Sequence, residues 1–333
     1  MSRAHRQSGF SMVELMVALV LGLVIIAGVI SVMLANKRSY STNEGLGQIQ
    51  ESARTAHELI ARDIRQSGST GCDNGQRIAN ALATGTQWWK TWYAVRGYDG
   101  SETDPAVAVG TAANTRVAGT DTLHLHGLEG GGFPLDIHNA GTRQMRINNA
   151  TATSITSFDQ LIVCDFDHAT IFRAGTYDGA TSTINYELTG NCTAGLGFPT
   201  NCDGGAGNPH TFQRNAVVGR LSAVAWFIGN NGRAADGGRS LFRSRLTAGG
   251  VVVTEEMVAG VTDMQLRFGT NDSDDIVEPS ELTTVTDWAA VNSVFVELTF
   301  NSANTAVSSD RSENSGRLER TFTYLIALRN RVP

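Results

Sequence analysis

The amino-terminal region contains a long apolar segment that carries no charge. Residues 15–35 are almost entirely Leu, Val, Ile, Met and Ala, and a helix of these 21 residues would be about 30 Å long, enough to cross a bilayer core. A secretory signal has a shorter apolar stretch of about 7–15 residues. A buried helix of a soluble protein is rarely apolar on every side. The segment is therefore predicted to anchor the chain in a membrane.

A carboxylate stands at the start of this segment. Glu14 follows Phe10, Ser11, Met12 and Val13. A charged side chain at the centre of a membrane-spanning helix costs on the order of 2.5–3.5 kcal/mol, and less near the interface. If Glu14 lay at the level of the lipid headgroups, its charge would need no functional explanation. Acidic side chains at membrane depth, however, are usually functional. Glu14 is therefore a candidate functional residue.

The composition excludes nucleic acid as the main partner and indicates an oxidising compartment. The formal net charge is −6, and no basic run of the kind that phosphate backbones require is present. Four cysteines, Cys72, Cys164, Cys192 and Cys202, have no C-x-x-C spacing among them. This pattern favours disulfides over a structural zinc site. The part of the chain after the anchor is therefore expected to lie outside the cytoplasm.

Residues 37–70 show the periodicity of an amphipathic helix. Apolar side chains recur at spacings of three and four, at Leu46, Ile49, Ala53, Ala56 and Ile60. Gly68 and Gly71 are expected to end the helix, and Gly45 and Gly47 favour a bend. Together with the anchor, the pattern predicts one long helix over residues 10–66.

From about residue 75 onward the pattern changes to short strands. Segments rich in β-branched and aromatic residues alternate with Gly, Asn and Asp turns. The predicted strands are residues 121–126, 154–158, 160–164, 170–172, 182–188, 220–228, 240–246, 251–257, 263–268, 293–300 and 321–328. Residues 71–333 are thus expected to form a strand-rich globular domain, with a candidate internal boundary in the Gly-, Asn- and Pro-rich segment near 190–210.

The segment around Glu14 resembles a known leader. Residues 6–15 read RQSGFSMVEL, which is similar to the class III leader of type IV prepilins and type II secretion pseudopilins. The resemblance implies that residues 1–9 are a leader peptide, that prepilin peptidase cleaves between Gly9 and Phe10, and that Phe10 is N-methylated. Residues 10–36 would then form the transmembrane and fibre-core helix. Glu14, at the fifth mature position, would neutralise the terminal ammonium of an adjacent subunit.

Further segments resemble PilW-type minor pilins. They are IARDIRQSG at 60–68 followed by GC at 71–72, LIVCD at 161–165, VTDMQLRFG at 261–269, DWAAVNSV at 287–294 and FTYLIALRNR at 322–331. The last of these also resembles the terminal strand of J-type pseudopilins. The resemblance implies an α+β, pilin-like fold in which a long N-terminal helix, membrane-spanning in its first half, packs on antiparallel β-sheet. The strand-rich globular region would be an enlarged form of the globular domain of that fold.

The family resemblance also implies a function. The chain is expected to be a non-enzymatic minor pilin that helps to initiate type IV pilus assembly in a priming complex, supporting twitching motility and adhesion. The implied partners are other minor pilins, the major pilin, prepilin peptidase and the inner-membrane assembly machinery. The implied location is the inner membrane, single-pass with the C-terminal domain in the periplasm, and then the pilus fibre at the cell surface.

Two alternative functions stay open. A type II secretion J-type pseudopilin shares the leader and the closing strand. A membrane-tethered periplasmic binding protein or enzyme is supported by an aromatic cluster, Trp88, Trp89, Trp92 and Tyr93, which would suit a ligand if it were exposed. Burial of these rings is the favoured interpretation. No cofactor is expected, because the glycine-rich stretches fit neither G-x-G-x-x-G nor P-loop spacing.

The four cysteines allow three disulfide pairings. The favoured pairs are Cys192–Cys202, which would close a short loop, and Cys72–Cys164, which would tie the end of the long helix to the sheet.

No metal site is predicted with a complete set of ligands. His124 and His126 alternate on a predicted strand and would face the same side, but the sequence shows no third ligand. An acidic loop contains weak calcium candidates, at Asp272, Asp274, Asp275 and Glu278. Its spacing does not fit an EF-hand, so a solvated acidic turn is the favoured interpretation.

Overall fold

The computed structural model describes residues 11–72, 77–148, 154–271, 275–305 and 316–328. The chain divides into two compact units. The smaller consists of Met1–Ile49 with Ser302–Leu318, and the larger of Gln50–Asn301 with Glu319–Pro333. The segment near 190–210, a candidate boundary by composition, lies inside the larger unit.

A single long helix, α1 (Met12–Gln66), begins the described chain. It continues through Gly45 and Gly47 without a break, although these residues favour a bend. The helix ends where predicted, because Gly68 adopts a left-handed backbone conformation (φ 75°) that stops helix propagation at little steric cost. The Ser67 hydroxyl donates to the carbonyl of Ile64 at 2.7 Å and satisfies one of the last helical acceptors.

In the smaller unit, the described part of 302–318 contacts the helix through polar groups. The backbone N–H of Ala303 donates to the Gln48 side chain at 3.4 Å, and the Asn304 amide donates to the Ser41 hydroxyl at 3.3 Å. Arg317 donates to the carbonyl of Ser302 at 2.7 Å.

The larger unit contains fifteen strands among the described residues: β1 (Ile78–Asn80), β2 (Val95–Tyr98), β3 (Thr122–Leu128), β4 (Phe133–Asn139), β5 (Gln144–Ile147), β6 (Gln160–Cys164), β7 (Ala169–Asp178), β8 (Thr183–Tyr186), β9 (Val217–Asn230), β10 (Arg239–Leu246), β11 (Val252–Ala259), β12 (Val261–Thr270), β13 (Ile276–Val277), β14 (Val291–Asn301) and β15 (Glu319–Ala327). A short helix, α2 (Val285–Ala290), precedes β14.

The strands form an eleven-stranded and a four-stranded sheet. The main path of the larger sheet runs β1-β7-β8-β5-β4-β9-β10-β11. Its longest strand, β9, also pairs with β3 and β6, so it organises the sheet. The smaller sheet has the order β13-β12-β14-β15. The described pairs are antiparallel except β1 with β7, which is parallel.

The second half of α1 packs on both sheets through the apolar stripe read from the sequence. Ala53, Ala56, Ile60 and Ile64 are buried. The Trp226 indole on β9 donates to Asp63 at 3.1 Å, and the Tyr324 hydroxyl on β15 donates to the carbonyl of Ala53 at 3.2 Å. Burial raises the pKa of Asp63, and Arg243 opposes this shift. The predicted α+β, pilin-like fold, with a long helix on antiparallel sheet, is confirmed.

The strand predictions are confirmed except at residues 154–158, which form a turn. Phe158 has a φ of 70°, which a strand does not permit, and the Asp159 carboxylate accepts from the N–H of Thr156 at 2.6 Å. Five further strands, β1, β2, β4, β5 and β13, were not predicted from the sequence. Helix α2 was not predicted either, although the Thr284 and Asp287 side chains form a capping box that marks its start.

The buried carboxyl of Asp121 lies just before β3 of the larger sheet and contacts β12 of the smaller sheet, so its ionisation tests the packing between the two sheets. Asp121 accepts from the N–H of Leu266 on β12 at 2.7 Å, and burial raises its pKa to about 7. Because the folded state keeps this proton while the unfolded carboxyl releases it near pH 4, stability is lost as pH rises from about 4 through 7.

We therefore expect Asp121→Asn to gain stability relative to the wild type across that range. The gain should be on the order of 3 kcal/mol and level off above about pH 8. Thermal or denaturant unfolding of the detergent-solubilised chain at pH 4–9 measures it. Asp178→Asn, at the exposed end of β7, is the control and should show no such rise. A stability difference that is flat with pH for Asp121→Asn contradicts the assignment.

Candidate functional site

The first half of α1 exposes a continuous apolar surface. Large apolar side chains between Met12 and Leu34 are at least half exposed, with Met12 at 83%. This part of the helix has a mean hydropathy of 3.0 and is long and apolar enough to cross a membrane. Exposed apolar surface of this extent requires lipid or protein to cover it.

Glu14 lies in the first turn of α1 and is exposed. One carboxylate oxygen accepts from the N–H of Ser11 at 3.2 Å, and the Ser11 hydroxyl accepts from the N–H of Val13 at 3.3 Å. A carboxylate in this position is favoured by the helix dipole and satisfies an amide that has no helical partner. Gly9 and Phe10 lie outside the described residues, so cleavage there and charge pairing by Glu14 stay predictions.

The C-terminal end of α1 is attached to the large sheet. Cys72 and Cys164, the last residue of β6, form a disulfide with a Cα–Cα distance of 5.9 Å. The N–H of Gly68 donates to the carbonyl of His126 at 2.7 Å, and the N–H of Leu128 donates to the carbonyl of Ser69 at 2.7 Å. The helix end is therefore bonded to β3 and β6, two strands that both pair with β9.

The loop near 190–210 is held by a second disulfide, Cys192–Cys202. The structure thus contains the two pairings that the sequence analysis favoured. The N–H of Cys192 donates to the carbonyl of Ala81 at 2.8 Å, and the Thr170 hydroxyl on β7 donates to the carbonyl of Leu196 at 2.5 Å. These bonds attach the loop to the sheet and account for its place inside the larger unit.

The aromatic cluster lies against the two histidines of β3. Trp88 and Trp89 are buried, and the Trp88 ring lies 4.9 Å from the ring of His124. His124 contacts Asp104 at 2.9 Å, and His126 Nδ1 lies 2.8 Å from the carbonyl of Tyr93. Burial lowers the pKa of His126 to about 4. The burial of the two tryptophans agrees with the interpretation that the sequence favoured.

The acidic loop is only partly described. Asp272 and Asp274 lie outside the described residues. Asp275 and Glu278 are exposed, and the Glu278 side chain caps the short 3-10 helix Pro279–Glu281. The solvated acidic turn therefore stays the favoured interpretation of this loop, with calcium binding as the weaker alternative.

The structure also brings together Asp165, His168 and His210, which the sequence analysis did not single out. Asp165 and His168 are three residues apart in the turn between β6 and β7, a spacing that ligand pairs often have. His210 lies 42 positions further along the chain. No short-range pattern joins it to the other two, so only the tertiary structure identifies the cluster.

Both ends of the chain match protein-family models. Residues 4–30 match the prokaryotic N-terminal methylation motif, and residues 225–330 match the family described as type IV pilus-assembly protein W. No curated protein and no solved structure matches the chain significantly. The two family matches confirm the resemblance to PilW-type minor pilins. Residues 4–30 are thus similar to prepilin leaders and residues 225–330 to a pilus-assembly family, and together with α1 they indicate membrane anchoring.

Proposed function

We propose that this protein is a minor pilin that helps to initiate type IV pilus assembly in a priming complex with other minor pilins. The observation that carries the proposal is the uncovered apolar half of α1, most of which lies within the residues that match the methylation motif. A helix of this kind is stable in a bilayer and again among other helices of the same kind. Transfer between these two environments is what pilus assembly requires.

In this proposal prepilin peptidase removes residues 1–9, and Phe10 becomes the methylated amino terminus. The new ammonium group lies in an apolar fibre core, where an unpaired charge is costly. Glu14 of an adjacent subunit neutralises it. Assembly therefore proceeds by non-covalent helix packing and charge pairing, and the protein catalyses no reaction.

The proposed partners follow from this mechanism. Before assembly the protein is a single-pass inner-membrane protein with its C-terminal domain in the periplasm, where the two disulfides are stable. It contacts other minor pilins, the major pilin and the inner-membrane assembly machinery, and it enters the fibre at the cell surface. Twitching motility and adhesion depend on it through the number of pili.

Deletion of the gene in its parent bacterium tests the function. We expect a loss of surface pili, counted by electron microscopy, that the intact gene restores. The physical reason is that a missing initiating subunit removes the nucleus on which other subunits assemble.

A second readout on the same strain is type II secretion. Normal pili with impaired secretion would contradict the proposal and favour the J-type pseudopilin. Normal pili with normal secretion would favour a membrane-tethered binding protein.

A further inference from the structure

Asp165, His168 and His210 place three potential ligand atoms close together in the larger unit. One ligand atom from each residue lies within 4.8 Å of the other two. Asp165 and His168 are buried, whereas the side chain of His210 is 24% exposed. The cluster is therefore held inside the protein on two sides and reached from solvent through the third. This arrangement gives an ion a path of entry.

Backbone and carboxylate contacts orient each of these side chains. One oxygen of Asp165, Oδ1, accepts from the N–H of Asp167 at 2.9 Å, and the other, Oδ2, contacts His210 Nε2 at 2.8 Å. His168 Nδ1 contacts Asp167 Oδ2 at 2.9 Å. A carboxylate on the far nitrogen of a histidine is the usual outer partner of a metal ligand, because it orients the ring and increases the basicity of the other nitrogen. Arg77 in turn contacts Asp167 at 2.9 Å.

The second nitrogen of His168 faces an oxygen that cannot donate. His168 Nε2 lies 2.8 Å from the carbonyl oxygen of Leu196, which also accepts from the Thr170 hydroxyl. A neutral imidazole carries one N–H, so it cannot donate to both Asp167 and Leu196. The second contact requires another proton or a metal ion. Likewise, one proton joins His210 Nε2 to Asp165 Oδ2, and a metal ion can replace it.

We propose that Asp165, His168 and His210 form a binding site for Zn²⁺, with His168 ligating through Nε2. Two imidazoles and one carboxylate suit zinc, whereas calcium requires six or more oxygen ligands. Three protein ligands leave a fourth position that water or the nearby carbonyl of Leu196 fills.

The surroundings of the cluster suit a bound ion that stabilises the fold. The Phe212 ring lies 5.4 Å from the ring of His168 and 4.6 Å from that of His210. This apolar wall lowers the local dielectric and strengthens ligand bonds. Bound zinc would join the turn between β6 and β7 to the chain that follows the Cys192–Cys202 loop. Zinc binding would therefore stabilise a region that the second disulfide already constrains.

Calorimetric titration of Zn²⁺ into the full-length, tag-free chain in detergent, after dialysis against a chelator, tests the proposal. We expect one zinc per chain and a raised melting temperature with zinc. His210→Gln and Asp165→Asn should each weaken binding at least tenfold, since each removes one of three ligands. His57→Gln is the matched histidine control and should bind zinc as the wild type does, because His57 is half-buried on α1, stacked on Tyr324, and does not belong to the cluster. Co²⁺ should give the visible absorption of a tetrahedral site in the wild type and in His57→Gln, but not in His210→Gln or Asp165→Asn.

No zinc binding by the wild type overturns the proposal. Equal binding by the wild type, His210→Gln and Asp165→Asn overturns it as well, because the zinc would then lie elsewhere. His210 is partly exposed, so His210→Gln should fold, which its melting curve without zinc verifies. Binding of Ca²⁺ in place of zinc contradicts the choice of metal.

Discussion

Replacing Glu14 by Gln should leave cleavage between Gly9 and Phe10 intact and strongly reduce incorporation into pili. The amide keeps the size and the helix-capping capacity of the side chain but cannot neutralise an ammonium group. Removing one partner of a buried ion pair costs about 3–5 kcal/mol, which corresponds to a hundredfold or larger loss in an association equilibrium. We therefore expect at least a tenfold lower amount of the protein in sheared pili.

Immunoblots of the sheared and membrane fractions measure incorporation, and intact-mass analysis measures cleavage and methylation. Glu44→Gln is the matched control, because Glu44 is an exposed acid on the same helix. It should be cleaved and incorporated as the wild type is. Normal incorporation of Glu14→Gln would refute the charge-pairing role. A failure of cleavage would instead assign Glu14 to recognition by the peptidase.

Removal of the Cys72–Cys164 disulfide should destabilise the larger unit more than removal of Cys192–Cys202. The first bond joins residues 92 positions apart and the second joins residues 10 apart. In the chain-entropy model the longer loop gives about 4–5 kcal/mol of stabilisation and the shorter about 2–3 kcal/mol. The longer bond also holds the end of α1 on β6, next to the hydrogen bonds of Gly68 and Leu128.

The paired variants Cys72→Ala with Cys164→Ala, and Cys192→Ala with Cys202→Ala, leave no unpaired thiol of the broken bond. Denaturant unfolding followed by tryptophan fluorescence measures both, because Trp88 and Trp89 are buried in the folded state. If the Cys192/Cys202 variant loses as much stability as the Cys72/Cys164 variant, or more, then the disulfide at the helix end contributes less to stability than its loop length predicts.

Patterns over a few residues were sufficient for the long helix and for most strands. The spacing of Ala53, Ala56 and Ile60 predicts the buried face of α1, since helical side chains repeat every 3.6 residues. Strands rich in β-branched residues, such as β6 and β9, were likewise identified. By contrast, β4 contains Pro134 and β5 alternates with exposed polar residues. Their strand structure depends on pairing with each other and with β8 and β9, which lie far along the chain.

The candidate sites divide in the same way. The leader, the apolar anchor and Glu14 form one contiguous segment, so the sequence by itself was sufficient to predict where assembly would act and which carboxylate would take part. Only the tertiary structure decided the strand order, the grouping of the described part of 302–318 with α1 up to Ile49, and the meeting of Asp165 and His168 with His210. The physical reason is the distance along the sequence over which each signal acts. Hydrophobic periodicity records which face of an element is buried, whereas the partner of that face is selected by packing between distant segments whose local patterns are alike.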